Sequence, residues 1–242
     1  MLALITGVSR QEGLGFSVAR LLAEKNFTVI VTARDEQKAQ VLADILKKEG
    51  LTVDAKSLDV TSDKSIENIR QYVTEKYGSL DVIINNAVAG FDFEATPIET
   101  EMEIIRMAFE TNVIGPWRVS NAFLPLLQKS TQPRIVNVSS EASSFGAQGG
   151  LHSPYTLGVL SAYSASKSAL NAYTIKLAQS LKDTDILVNA VDPGFTATHP
   201  ELGDQEWARS ADESAKGVVW AATLPSDGPT GGFFRDGQPI AW

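Results

Sequence analysis

The stretch Leu2-Ala3-Leu4-Ile5-Thr6-Gly7-Val8-Ser9-Arg10-Gln11-Glu12-Gly13-Leu14-Gly15, followed by the apolar run 16–22, decides the fold. A short apolar strand ends in a turn with three glycines in nine residues, and the turn feeds a helix. Glycines there let the backbone approach a pyrophosphate, and the helix start adds unpaired N–H groups and a partial positive charge. Gly7, Ser9, Arg10, Gly13, Leu14 and Gly15 are therefore candidate phosphate contacts. A ligand-free glycine turn would have the same composition; the placement between first strand and helix favours binding.

Working outward, further strands are expected at Thr28–Ala33, Thr52–Val60, Leu80–Ala87, Arg134–Ser140 and Ile186–Asp192, with a short last one around Phe233. Most are continuous and β-branched, as in strands covered on both faces. Between them Ala39, Leu42, Ala43 and Leu46 recur at helical spacing and stop at Gly50. Ile66, Ile69 and Val73 do the same after the capping candidates Thr61 and Ser62, ending at Gly78. Longer helices are expected over about 101–128, 161–181 and 212–224, the first kinked or broken at Gly115-Pro116. This β-α rhythm predicts an α/β fold, a doubly wound parallel sheet of about seven strands with helices on both faces. No repeat, low-complexity tract or linker interrupts it, so residues 1–242 read as a single domain.

Composition narrows the function. The formal charge is −8, which opposes nucleic acid and anionic membrane as partners. Any phosphate ligand would need local Arg or Lys and backbone N–H groups. Cysteine is absent and only His152 and His199 remain as soft ligands, so no metal site is expected. The first strand starts straight after Met1, leaving no room for a signal peptide, and no apolar run is long enough to span a bilayer. A cytoplasmic protein is the default expectation.

The chemistry centres on Tyr163-Ser164-Ala165-Ser166-Lys167. Four residues apart on a helix, the phenol and the ammonium share one face. A phenol ordinarily titrates near 10; a neighbouring cation is expected to lower that value and make Tyr163 a proton donor and acceptor. Such a pair alone is common and usually inert. Here it follows Asn85-Asn86-Ala87, Asn112 and the Ser139-Ser140 that ends a strand, where open α/β sheets place ligands.

In that order these motifs resemble the short-chain dehydrogenase/reductase family, over essentially the whole chain. Phrases such as Thr32-Ala33-Arg34-Asp35, Leu80-Asp81-Val82 and Gly231-Gly232-Phe233-Phe234-Arg235-Asp236-Gly237 are similar to its carbonyl reductases. The resemblance implies a Rossmann-type fold, a nicotinamide dinucleotide, and a small carbonyl or alcohol substrate. It makes Tyr163 the general acid/base and counts both Tyr163 and Lys167 among the cofactor contacts, Lys167 bonding the nicotinamide ribose. Ser140 would hold the substrate oxygen, with Ser139 as the alternative, and Asn112 would hold a water against Lys167. It gives Asp59 and Val60 to the adenine, Asn86 and Ala87 to the cofactor wall, and Pro193, Gly194, Thr196 and Thr198 to the carboxamide.

Two departures stand out. Gln11-Glu12 lengthens the family's glycine motif by two residues and brings a carboxylate near the expected phosphates, and Val88 replaces a glycine after Ala87. NAD-preferring members carry an Asp after the second strand; here Ala33 stands there, followed by Arg34, whose guanidinium can take a 2′-phosphate bidentately. With Arg10 as a second cation, NADP(H) is expected ahead of NAD(H), while Asp35 reads as the next helix's N-cap.

Twenty-two residues separate Ser140 from Tyr163, a longer stretch than many family members have. Segments of about 144–160 and 195–212 are expected to shape the substrate pocket. Phe91, Phe93, Phe195 and Trp207 are candidates for its apolar wall, and His152 reads as a surface residue rather than a substrate contact. Many family members pair through the helices after strands four and five, which favours a homo-oligomer over a monomer, but only slightly, because the longer loop could obstruct that face. The expected activity is NADPH-dependent reduction of a ketone or aldehyde. The alternatives are an NAD-dependent alcohol dehydrogenase and a non-catalytic NADP-sensing regulator.

Overall fold

Alternating apolar residues build the sheet from the inside. We describe it in a computed structural model that covers residues 1–92, 95–148, 160–198 and 208–242. The strands are β1 (Leu2–Ile5), β2 (Thr28–Ala33), β3 (Val53–Ser57), β4 (Val82–Asn85), β5 (Arg134–Val138), β6 (Leu187–Val191), β7 (Phe233–Arg235) and β8 (Gln238–Pro239). Their order in the sheet is β3-β2-β1-β4-β5-β6-β7-β8. All neighbours are parallel except β7 and β8.

The sheet therefore has eight strands among the described residues, not about seven. Asp236 and Gly237, both with positive φ, reverse the chain so tightly that a two-residue strand pairs back onto β7. So short a strand has no periodicity to read.

Successive strand residues face opposite sides. Ile5, Val29, Val31 and Ile84 lie in one core, Leu4, Ile30 and Ile83 in the other. Helices α1 (Leu14–Glu24), α2 (Glu36–Lys48) and α8 (Ala211–Ala222) cover the first face; α3 (Asp63–Lys76), α5 (Gly115–Leu127) and α7 (Ser161–Ser180) cover the second, and α6 (Phe145–Gln148) is a short piece after β5. Helix starts follow the capping logic. Asp35 accepts from Gln37 N at 2.9 Å, and Ser62 from Ser65 N at 3.3 Å.

The expected strands overrun the observed ones at their C-terminal ends. The apolar residues Leu58 and Val60 continue past β3 because the loop there is itself buried. The expected break at Gly115-Pro116 is also different. Helix α4 (Met102–Phe109) passes through a π-turn, Glu110–Ile114, directly into α5. Gly115 N donates to Glu110 O five residues back, and Pro116 falls in the first turn of α5, where its missing N–H costs little.

Candidate active site

A cleft of about 1100 Å³ opens at the C-terminal ends of the strands, across the β1/β4 switch point. Its wall contains Gly7, Ser9, Arg10, Gly13, Leu14, Gly15, Arg34, Asp59, Val60, Asn86 and Ala87. It also contains Ser140, Tyr163, Lys167, Pro193, Gly194, Thr196 and Thr198. Residues as far apart as Gly7 and Thr198 thus share one surface, and among the described residues Asn112 alone of the expected site residues is not on it.

At the phosphate end the backbones are clamped. Thr6 Oγ1 accepts from both Asn86 N and Ala87 N at 3.0 Å, and Asn86 Nδ2 donates to Thr6 O at 2.8 Å. A Cβ on Gly7, whose φ is +73°, would stand 2.6 Å from Ala87 Cα; one on Gly15 would stand 2.7 Å from Asn86 Nδ2. Only glycine fits. The cleft therefore has a bare backbone wall at the start of α1, the form that accepts a pyrophosphate. Gln11 and Glu12 are exposed and absent from the cleft wall, so the two-residue extension turns its carboxylate to solvent.

Two guanidinium groups border this end. Arg10 Nη1 donates to Thr198 O at 3.0 Å, joining the glycine turn to the loop after β6. The Arg34 side chain is exposed and has no ion-pair or hydrogen-bond partner among the described residues. Asp59 Oδ1 accepts from Thr61 N at 3.0 Å and Thr61 Oγ1 at 2.8 Å, which holds that carboxylate in place on the wall. Val88 is exposed on the wall.

At the other end α7 presents Tyr163 and Lys167 together. Lys167 is 3% exposed; its Nζ donates to Val138 O at 2.7 Å and lies 5.7 Å from the Tyr163 ring centroid. Burial lowers the Lys167 pKa to about 7. The expected lowering of the phenol by this lysine is corrected by the structure. Burial pushes Tyr163 up to about 12; the Ser140 side chain pulls the other way, and the Asp192 charge adds to the rise. A buried lysine that gives up its proton near neutrality is a weak counter-charge, and desolvation of the phenolate dominates.

Of the two serines, Ser139 is 2% exposed and its hydroxyl donates to Asn171 Oδ1 at 2.6 Å. Ser140 caps the short 3-10 turn Glu141–Ser143, its Oγ accepting from Ala142 N at 3.2 Å. Asn112, in the π-turn, is buried beneath the wall. Its carboxamide pairs with Ala89 N and Ala89 O, both at 3.0 Å, and donates to Ser166 Oγ at 3.0 Å.

The structure adds charges that the sequence did not single out. Arg235 bridges the buried Asp192 carboxylate and Glu141, the latter at 2.6 Å, beside Ser140. Burial raises the Asp192 pKa and the Arg235 charge opposes it. Arg209 pairs with Asp236 at 2.8 Å and donates to Pro193 O at 3.2 Å. Asp92 hydrogen-bonds the first turn of α7. Neighbouring letters give no sign of such long-range pairings. Phe91 stacks on Tyr163 with ring centroids 5.0 Å apart, and Phe195 lies on the wall. Phe93, His152, His199 and Trp207, with 149–159 and 199–207 of the two expected substrate segments, lie outside the described residues.

Comparison with known proteins identifies the family. The short chain dehydrogenase family model matches residues 1–208. A short-chain dehydrogenase of Penicillium roqueforti is 36% identical over 228 residues, covering 92% of this chain and 88% of its own. Carbonyl reductase [NADPH] 1 of Mus musculus is 30% identical, covering 99% and 98%. A short-chain dehydrogenase structure from Shigella flexneri, complexed with NADP, superimposes with a TM-score of 0.84 at 25% identity, covering 97% and 96%. The chain belongs to the short-chain dehydrogenase family and is an oxidoreductase of that family. No helix among the described residues is long and apolar enough to cross a membrane.

Proposed function

We propose that the protein reduces a ketone or aldehyde to an alcohol with NADPH, as a single dinucleotide-binding domain of the cytoplasm. The observation that carries this is the shared wall: the glycine turn, Arg34, Ser140, Tyr163 and Lys167 border one cleft. The bare backbone at Gly7 and Gly15 suits the pyrophosphate, and the Arg34 guanidinium, without a partner among the described residues, suits a 2′-phosphate. The carbonyl reductase [NADPH] relative and the NADP-bound Shigella structure favour the same cofactor.

Bound there, reduced nicotinamide supplies the hydride. The protein orients and protonates. Ser140 holds the substrate carbonyl oxygen, and Tyr163 gives that oxygen its proton. A phenol whose pKa is about 12 keeps its proton at neutral pH, which suits a donor better than an acceptor. Lys167, fixed by Val138 O, bonds the ribose and stands in position to replace the proton that Tyr163 has given to the substrate. Pro193, Gly194, Thr196 and Thr198 border the place for the carboxamide, with Arg10 tying Thr198 to the glycine turn. A homo-oligomer also belongs to this reading, supported by the exposed Met102, Ile114 and Trp117 on the α4–α5 side.

The test mixes purified protein with NADPH or NADH and a panel of ketones and aldehydes, following the absorbance of the reduced nicotinamide. Faster oxidation of NADPH than NADH, dependent on a carbonyl, is expected. Tight NADPH binding with no turnover on any member of the panel would favour a sensing protein instead.

A further inference from the structure

The helix that carries the reactive phenol lacks a cap of its own. Its N-cap position is Leu160, in a left-handed conformation with φ 58°, whose side chain offers no acceptor to the first-turn N–H groups. Those groups find one 70 residues away. Asp92 Oδ2 accepts from Ala162 N at 2.8 Å and Oδ1 from Tyr163 N at 3.3 Å, while Asp92 O accepts from Leu160 N at 3.1 Å. The carboxylate is buried, and Thr100 Oγ1 steadies it at 3.0 Å.

The segment bearing Asp92 is itself fixed from beneath. Asn112 pairs with both backbone groups of Ala89 and donates to Ser166 Oγ, which donates in turn to Tyr163 O at 2.7 Å. The backbone N–H and C=O of Tyr163 are therefore both held by one network, and Phe91, the neighbour of Asp92, stacks on the phenol. A negative charge at a helix N-terminus is also favourable to the helix dipole.

We propose that Asp92 is a positioning residue for the phenol: its carboxylate caps α7 from outside and fixes where Tyr163 stands against Phe91 and Ser140. The inference rests on the reductase reading for its kinetic consequence, but the cap itself does not. A displacement of the order of 1 Å at a reacting group costs up to about a hundredfold in rate, so Asp92→Ala should lower kcat by about tenfold to a hundredfold. The NADPH dissociation constant should stay as in the wild type, because Asp92 is not on the cleft wall. Asp92→Asn keeps an acceptor oxygen and should recover most of the lost kcat.

The experiment pairs amide hydrogen exchange of the purified proteins without cofactor with steady-state kinetics. Exchange at residues 160–164 should quicken in Asp92→Ala, much less in Asp92→Asn, and not at all in α1. Unchanged exchange at 160–164 in Asp92→Ala would overturn the cap. Quickened exchange with wild-type kcat would overturn the positioning. Should Asp92→Ala fail to fold, Asp92→Asn decides: wild-type kcat with an intact α7 start supports the proposal, and a loss as deep as removal of Tyr163 overturns it. A wild-type protein that turns over no carbonyl sinks the reductase reading alone, and exchange still decides the cap.

Discussion

Replacing Gly7 by alanine should be among the most damaging small changes the protein can suffer. The residue has φ +73°, and a left-handed conformation costs a non-glycine residue about 1 kcal/mol or more. The added Cβ would then sit 2.6 Å from Ala87 Cα and 3.0 Å from Ala87 N and Cβ, where carbon atoms ordinarily meet at about 3.5–4.0 Å. Ala87 is backbone, clamped by the hydrogen bond its N–H gives Thr6 Oγ1, so it has no rotamer with which to escape. Opening the turn by roughly 1 Å is overpacking, at about 1–3 kcal/mol. The total is about 3 kcal/mol, or about 6–12 °C in Tm for a chain of this size.

Gly50→Ala is the matched control: its φ is +84°, yet nothing lies within 4 Å of the new Cβ. It should cost about 1 kcal/mol, partly offset by the stiffer unfolded chain. Urea and thermal unfolding of both variants measure the difference. A Gly7→Ala protein no less stable than Gly50→Ala would refute the claim that two backbones meet at the head of the cleft.

Other outcomes follow from the same geometry. Arg34→Ala should weaken NADPH binding by about tenfold to a hundredfold, as for loss of a charge-assisted bond, and leave NADH binding unchanged; equal losses for both, by fluorescence titration, would remove Arg34 from the 2′-phosphate. The Lys167 pKa is lowered to about 7 by burial, below its unfolded value, so its contribution to stability is present at high pH and is lost as pH falls toward 7. Between pH 7 and about 10 the wild type should gain stability relative to Lys167→Met in urea titrations; parallel curves would contradict a buried lysine.

Much of this was legible in the sequence because it is local. Thr6 to Gly15 is one turn, and Tyr163 and Lys167 need only the pitch of one helix to share a face. Glycines, helix spacing and strand ends are written in neighbouring residues. The eighth strand escaped because two residues carry no period. Pro116 misled in another way: proline signals a missing N–H, but it cannot say that a π-turn places Pro116 in the first turn of α5, where that N–H is not needed.

The phenol's pKa was misjudged because spacing shows that a lysine is near, not how dry its surroundings are. Asp92 on α7 and Arg235 on Asp192 join residues dozens of positions apart. Only the assembled sheet brings them together. Asn112 lies between these cases: its place in the chain was recognisable, while its partners, Ala89 and Ser166, were not.

A proton leaving one phenolic oxygen is the step on which the account stands. Tyr163→Phe removes that oxygen and keeps the ring that stacks on Phe91. With NADPH and a carbonyl substrate of the wild type, the variant should bind NADPH normally and lose nearly all turnover. Near-wild-type NADPH oxidation by Tyr163→Phe would contradict the mechanism, whatever the fold.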